Sequence, residues 1–69
     1  MSRKIIISTF FAENNMGRAE VCHGEDAHFI QYYDQNGNLF HTEHFPGKSI
    51  HFVEDAAENW ALGVKQLNG

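Results

Sequence analysis

Five of the 69 residues are histidines, and three of them could share a metal ion. His23 and His28 flank a short turn, and His44 belongs to a later extended segment. Cross-strand neighbours lie about 5 Å apart, so adjacent antiparallel strands would bring the three imidazoles together at one end of a sheet. Zinc, nickel and copper accept such a ligand set. One of two hypotheses for these histidines is therefore a small metal-binding protein that uses His23, His28 and His44 to hold Zn or Ni. The other treats these histidines as ordinary polar residues at the open end of the sheet.

A second pair of residues could move protons. His41 and Glu43 alternate along one segment, and such a pair can act as a general base. Surface ion pairs and interface contacts use the same pattern, and no nucleophile is placed beside the pair. Cys22 has no cationic neighbour in sequence that would activate its thiol. We therefore assign no catalytic residue and expect a non-enzymatic protein without a cofactor, with an enzyme that completes its site between subunits as the least favoured alternative.

The elements that must position these residues are four extended runs and one helix. Turn residues recur about every ten positions, which predicts sequential antiparallel strands joined by short loops. The runs between the turns are rich in β-branched and aromatic residues, and they are Lys4–Ala12, Arg18–His23, His28–Tyr33 and Leu39–Phe45.

After Pro46 the apolar residues recur at three- and four-residue spacing, which indicates a helix. This stripe contains Val53, Ala56, Ala57, Trp60, Ala61, Val64 and Leu67. The helix begins either with Ser49 as its N-cap or near Val53 after a short extended segment. We expect Gly63 to lie inside the helix, close to the sheet, and Asn68-Gly69 to end it. The predicted fold is α+β, a four-stranded antiparallel meander with one C-terminal helix on one face (ββββα), in a single domain over residues 1–69.

Hairpin loop lengths predict which residues face one another. A three-residue loop pairs Asp34 with Asn38, and continued without interruption it sets Tyr32 opposite Phe40. A four-residue loop pairs His23 with His28. The turn after the first strand then sets Ser8 opposite His23.

This register leaves many apolar residues on the face that a single helix cannot cover. They are Ile5, Ile7, Phe11, Phe29, Tyr33, Leu39 and Phe45. A large exposed apolar patch marks an interaction surface. We therefore expect a binding protein that associates through this face, as a homodimer or with a host protein. The alternative is a curled sheet that folds part of the face under a loop.

Composition limits the cellular compartment and the classes of partner that we expect. The net charge of −4 disfavours nucleic acid as a partner. A lone cysteine disfavours a secreted disulfide scaffold, and no segment approaches the roughly 20 apolar residues of a membrane span. We expect a cytoplasmic protein without a membrane partner.

The segment from Gly47 to Gly63 and the turn from Tyr33 to Asn38 resemble small uncharacterised proteins of marine T4-like cyanophages. The acidic balance and the chain length fit this resemblance as well. It implies a small accessory protein that acts in the cytoplasm of an infected bacterial cell, and it brings no known activity or site residues.

Overall fold

The computed structural model describes residues 5–13 and 16–63. Its elements are β1 (Ile5–Phe11), β2 (Arg18–His23), β3 (His28–Tyr33), β4 (Leu39–Phe45) and α1 (Ile50–Ala61). The four strands form one antiparallel sheet in the order β1-β2-β3-β4, and α1 packs against one face of it. The ββββα meander predicted from turn spacing and helical periodicity is therefore confirmed.

Two hairpin turns close as their loop lengths predict. His23 pairs with His28, and the Gly24 amide donates to the Ala27 carbonyl at 3.0 Å. In the β3–β4 turn the Asp34 amide donates to the Asn38 carbonyl at 2.9 Å. The Asp34 carboxylate also accepts from the Asn38 amide at 2.9 Å, so one side chain stabilises the turn it begins.

A bulge in β4 overturns the predicted pairing beyond that turn. Tyr33 pairs with Leu39, but Tyr32 pairs with His41, so Phe40 is an extra residue without an opposite partner. One extra residue moves every later β4 side chain to the other face, because side chains alternate along a strand. Phe45 consequently lies on the helix side, and its assignment to the uncovered face was wrong.

A second bulge shifts β1. The turn sets Phe11 opposite Arg18, so Ser8 pairs with Val21 rather than with His23, and the bulge between Ile6 and Ser8 then shifts the rest of the strand by one residue. Ile6 therefore shares the face of Cys22, whereas Ile5 pairs with His23 on the helix side. The prediction from sequence placed Ile5 on the uncovered face and Ile6 on the helix side, which was wrong. No residue type in this run indicates a bulge.

The helix starts at the earlier of the two predicted points. Ser49 has extended φ and ψ of −73° and 161°, and its hydroxyl accepts from the Phe52 amide at 3.3 Å, as an N-cap does. The helix ends at Ala61, earlier than expected. Gly63 adopts φ +80° and its amide donates to the Trp60 carbonyl at 3.0 Å, so this glycine stops the helix. A Cβ on Gly63 would meet nothing within 4 Å, so the predicted close approach to the sheet was wrong, and Val64 and Leu67 lie outside the described residues.

Small residues let the helix lie close to the sheet. The buried core consists of Ala19, Val21, Ile30, Tyr32, Phe45, Val53, Ala56 and Ala57. Trp60 packs edge-on against Tyr32 with ring centroids 5.0 Å apart. The Ser8 hydroxyl donates to the Glu54 carboxylate at 2.5 Å, which ties the helix to β1. In the part of the chain that the structure describes, no helix is long and apolar enough to cross a bilayer.

Gly17 is the residue on which the β1–β2 connection depends. Its φ is +118°, and a Cβ built there would lie 1.9 Å from the Tyr33 carbonyl oxygen. Gly37 offers a matched comparison, since its φ is +84° but its Cβ would meet nothing within 4 Å.

We predict that Gly17→Ala lowers the free energy of unfolding by about 3 kcal/mol or more, because backbone strain and a clash with backbone add. Gly37→Ala should cost only about 1 kcal/mol, from left-handed backbone strain alone. Urea denaturation followed by circular dichroism measures both losses. Equal losses in the two variants would contradict the close contact at Gly17.

Candidate functional site

The sheet face opposite α1, here called the uncovered face, is built of three cross-strand rows. The pairing of all four strands defines them. The first row is Ile6, Cys22, Phe29 and His44. The central row is Thr9, Glu20, Gln31 and Thr42. The third row is Phe11, Arg18, Tyr33 and Leu39.

The first and third rows are apolar except for His44 and Arg18, and their outer members are open to solvent. Phe11 is 75% exposed, and Ile6 and Leu39 are each 49% exposed. Cys22, between its two neighbours at the middle of the first row, is fully buried. Apolar side chains thus stand at both ends of the face, with a polar row between them.

The charged side chains on the uncovered face neutralise each other. The described strands carry three charged residues, and Glu43 lies on the helix side. The other two, Arg18 and Glu20, form an ion pair at 3.1 Å. The Arg18 guanidinium also lies over the Tyr33 ring, 4.2 Å from its centroid, in cation–π geometry. The uncovered face is therefore electrically neutral although the chain carries a net charge of −4.

The uncovered face continues into an open groove of about 600 Å³ at the end of the sheet where two loops meet. Phe11 and Arg18 line the groove together with Gly17 and the β3–β4 turn. The groove adjoins the third row of the uncovered face.

Four of the seven residues predicted for the interaction surface lie on this face. They are Phe11, Phe29, Tyr33 and Leu39. Of the other three, Phe45 is 7% exposed and packs against Phe52, Ile5 lies on the helix side, and Ile7 is the bulged residue of β1. Ile6 was missed, since only the bulge turns it to the uncovered face.

The predicted set of three histidines does not come together. His23 and His28 face each other on the helix side, with their Nδ1 atoms 3.3 Å apart. His44 pairs with Phe29 on the opposite face, where the two rings lie 5.6 Å apart. The β4 bulge is the cause. Among residues 5–13 and 16–63, no group of three histidine, cysteine or carboxylate side chains is arranged to hold a metal ion.

His41 and Glu43 do share a face, but it is the helix side. Tyr32 lies between them in contact with both: its hydroxyl donates to the Glu43 carboxylate at 3.1 Å, and its ring centroid is 5.6 Å from that of His41. Tyr32 is fully buried. Burial, together with the negative charge of Glu43, raises the pKa of the Tyr32 hydroxyl well above its usual value. This arrangement stabilises a neutral phenol in the core.

The raised pKa of Tyr32 predicts a loss of stability in alkaline solution. Above pH about 10 the unfolded chain releases the phenol proton while the folded chain keeps it, so unfolding becomes easier as pH rises. The expected slope is up to about 1.4 kcal/mol per pH unit for this one group. Denaturant unfolding measured from pH 8 to 11 should show a smaller decline in Tyr32→Phe than in the wild type.

Tyr33→Phe is the matched control, because it removes a phenol from the other face of the sheet and leaves Tyr32 in place. Its stability should keep the decline with pH that Tyr32 causes. A Tyr32→Phe curve parallel to that of the wild type would contradict the assignment.

No protein-family model matches this chain, and no curated protein or solved structure does either.

Proposed function

We propose that this protein is a small non-enzymatic binding protein that forms a homodimer through its uncovered face. One observation carries the proposal: a neutral face with two apolar rows in an otherwise acidic chain. Apolar patches of this kind are typical of interaction sites.

The distribution of charge favours a second copy of the chain as the occupant. Two copies that each carry a net charge of −4 repel each other over most approaches. The uncovered face avoids this repulsion, because its two charged side chains, Arg18 and Glu20, neutralise each other 3.1 Å apart. Desolvating the face therefore brings no unpaired charge into the interface from these two groups.

The row pattern is also self-complementary. Two sheets that pack face to face about a twofold axis lying between them bring either equal rows or the two outer rows together. In both arrangements apolar rows meet apolar rows and the polar central row meets its own copy. Both α1 helices then lie on the outside of a four-layer α/β/β/α particle.

The edges of the sheet favour association by the face. β1 and β4 are the edge strands, and each contains a bulge. Bulges interrupt the regular hydrogen-bonding pattern that a further strand would need. Addition of a strand from another chain at either edge is therefore disfavoured.

The size of the uncovered face sets the affinity that we expect for the dimer. Four strands of this length span roughly 20 Å by 19 Å, whereas a standard interface buries about 800 Å² of accessible surface on each partner. We expect a dimer that dissociates in the micromolar range. The resemblance to cyanophage proteins supports an accessory role in the cytoplasm of an infected bacterial cell.

Sedimentation velocity over low to high micromolar concentrations should show a reversible monomer–dimer equilibrium. Leu39→Glu should weaken the dimer at least about tenfold, because it introduces a like charge into both halves of the apolar interface. Leu62→Glu is the matched control: Leu62 is 53% exposed against 49% for Leu39, but it lies at the end of α1.

Circular dichroism establishes that each variant is folded before it is compared. A wild-type protein that stays monomeric over the whole range overturns the dimer. An equal loss of affinity in Leu62→Glu overturns the assignment of the uncovered face as its interface.

A further inference from the structure

The two histidines that close the β2–β3 hairpin form a close pair at the end of the sheet. His23 and His28 are directly opposite in the ladder. Their Nδ1 atoms are 3.3 Å apart, their ring centroids are 5.0 Å apart, and the ring planes are tilted by 49°. We compare these distances with those expected for a direct hydrogen bond and for joint coordination of one metal ion.

A linear hydrogen bond does not match both distances. With the nitrogens 3.3 Å apart, two rings pointing straight at each other would have centroids about 5.6 Å apart, beyond the observed 5.0 Å. The rings therefore meet at an angle and not end to end.

A tetrahedral metal ion held by both Nδ1 atoms would give two distances close to those observed. Zinc lies about 2.05 Å from imidazole nitrogen, so two such ligands at the tetrahedral angle have nitrogens about 3.3 Å apart and centroids about 5.2 Å apart. The observed values are 3.3 Å and 5.0 Å. We propose that His23 and His28 together chelate one divalent transition-metal ion through their Nδ1 atoms, with zinc as the best fit.

The surroundings suit a cation. A groove of about 160 Å³ runs beside the pair and is lined by the turn residues Glu25 and Asp26 and by Lys48. Its formal charge without the histidines is −1, from two carboxylates and one ammonium. A water molecule occupies about 30 Å³, so the groove has room for the water ligands that complete the coordination shell.

The hairpin holds the pair in place before any metal binds. The Gly24 amide donates to the Ala27 carbonyl at 3.0 Å, which closes the loop directly between the two histidines. His28 is paired on its other side with Phe45, a core residue. Ligands placed by a closed turn and a buried neighbour lose little freedom on binding, which favours affinity.

This site is independent of the proposed dimer, because His23 and His28 lie on the helix side of the sheet and the dimer uses the other face. It also differs from the set of three predicted from sequence, since His44 is absent from it. The two proposals can therefore fail separately.

The test is titration of the untagged protein with zinc chloride, followed by calorimetry, and with cobalt chloride, followed by visible absorption. We expect one zinc ion per chain and the intense absorption of tetrahedral cobalt. His23→Gln and His28→Gln should each weaken zinc binding at least about tenfold, because a chelate becomes a single-ligand contact. His44→Gln is the matched control and should bind as the wild type does, and so should Leu39→Glu.

Imidazole NMR signals of the wild type supply a second measurement that needs no variant. Zinc should shift the ring resonances of His23 and His28 and leave those of His44 unchanged. The proposal is overturned if zinc shifts all the histidines alike, if His44→Gln loses as much affinity as His23→Gln, or if no binding is detected at millimolar zinc.

Discussion

One extra residue in β4 determines the surroundings of every side chain that follows it. With Phe40 bulged out of the ladder, Phe45 turns into the core and Glu43 meets the buried Tyr32 hydroxyl. The same step carries His44 to the other face, away from His23. Because strand side chains alternate, a single insertion exchanges the inside and the outside of the rest of the strand. The core, the separation of His44 from the His23–His28 pair and the composition of the uncovered face all depend on it.

The helix covers one side of the sheet, and it does so closely because its buried positions are small. Ala56 and Ala57 face a sheet centred on Val21 and Ile30. Small side chains permit close approach and dense packing, which a chain of this length needs because it buries a modest fraction of its surface. The opposite face keeps apolar rows at both ends and a neutral charge balance. These properties are the basis of the proposed homodimer.

Much of the architecture could be predicted from local signals. Asp34 and Asn38 close the hairpin as the loop length requires, and Ser49 caps the helix as one of two predicted starts. The prediction that Gly63 lies inside the helix was wrong, because residue type alone does not distinguish a glycine inside a helix from one that ends it. Its φ of +80° distinguishes the two cases, and that angle depends on the backbone around it.

The amino-acid sequence alone determined the order and type of the elements, because turn chemistry and hydrophobic period act over a few neighbouring residues. It also determined that one helix must leave one sheet face uncovered. The tertiary structure decided which residues occupy that face, placing Ile6 there and Phe45 in the core. A bulge forms where packing of the whole sheet against the helix outweighs the loss of a regular ladder pair. That balance depends on contacts between residues far apart in the chain, which no local pattern encodes.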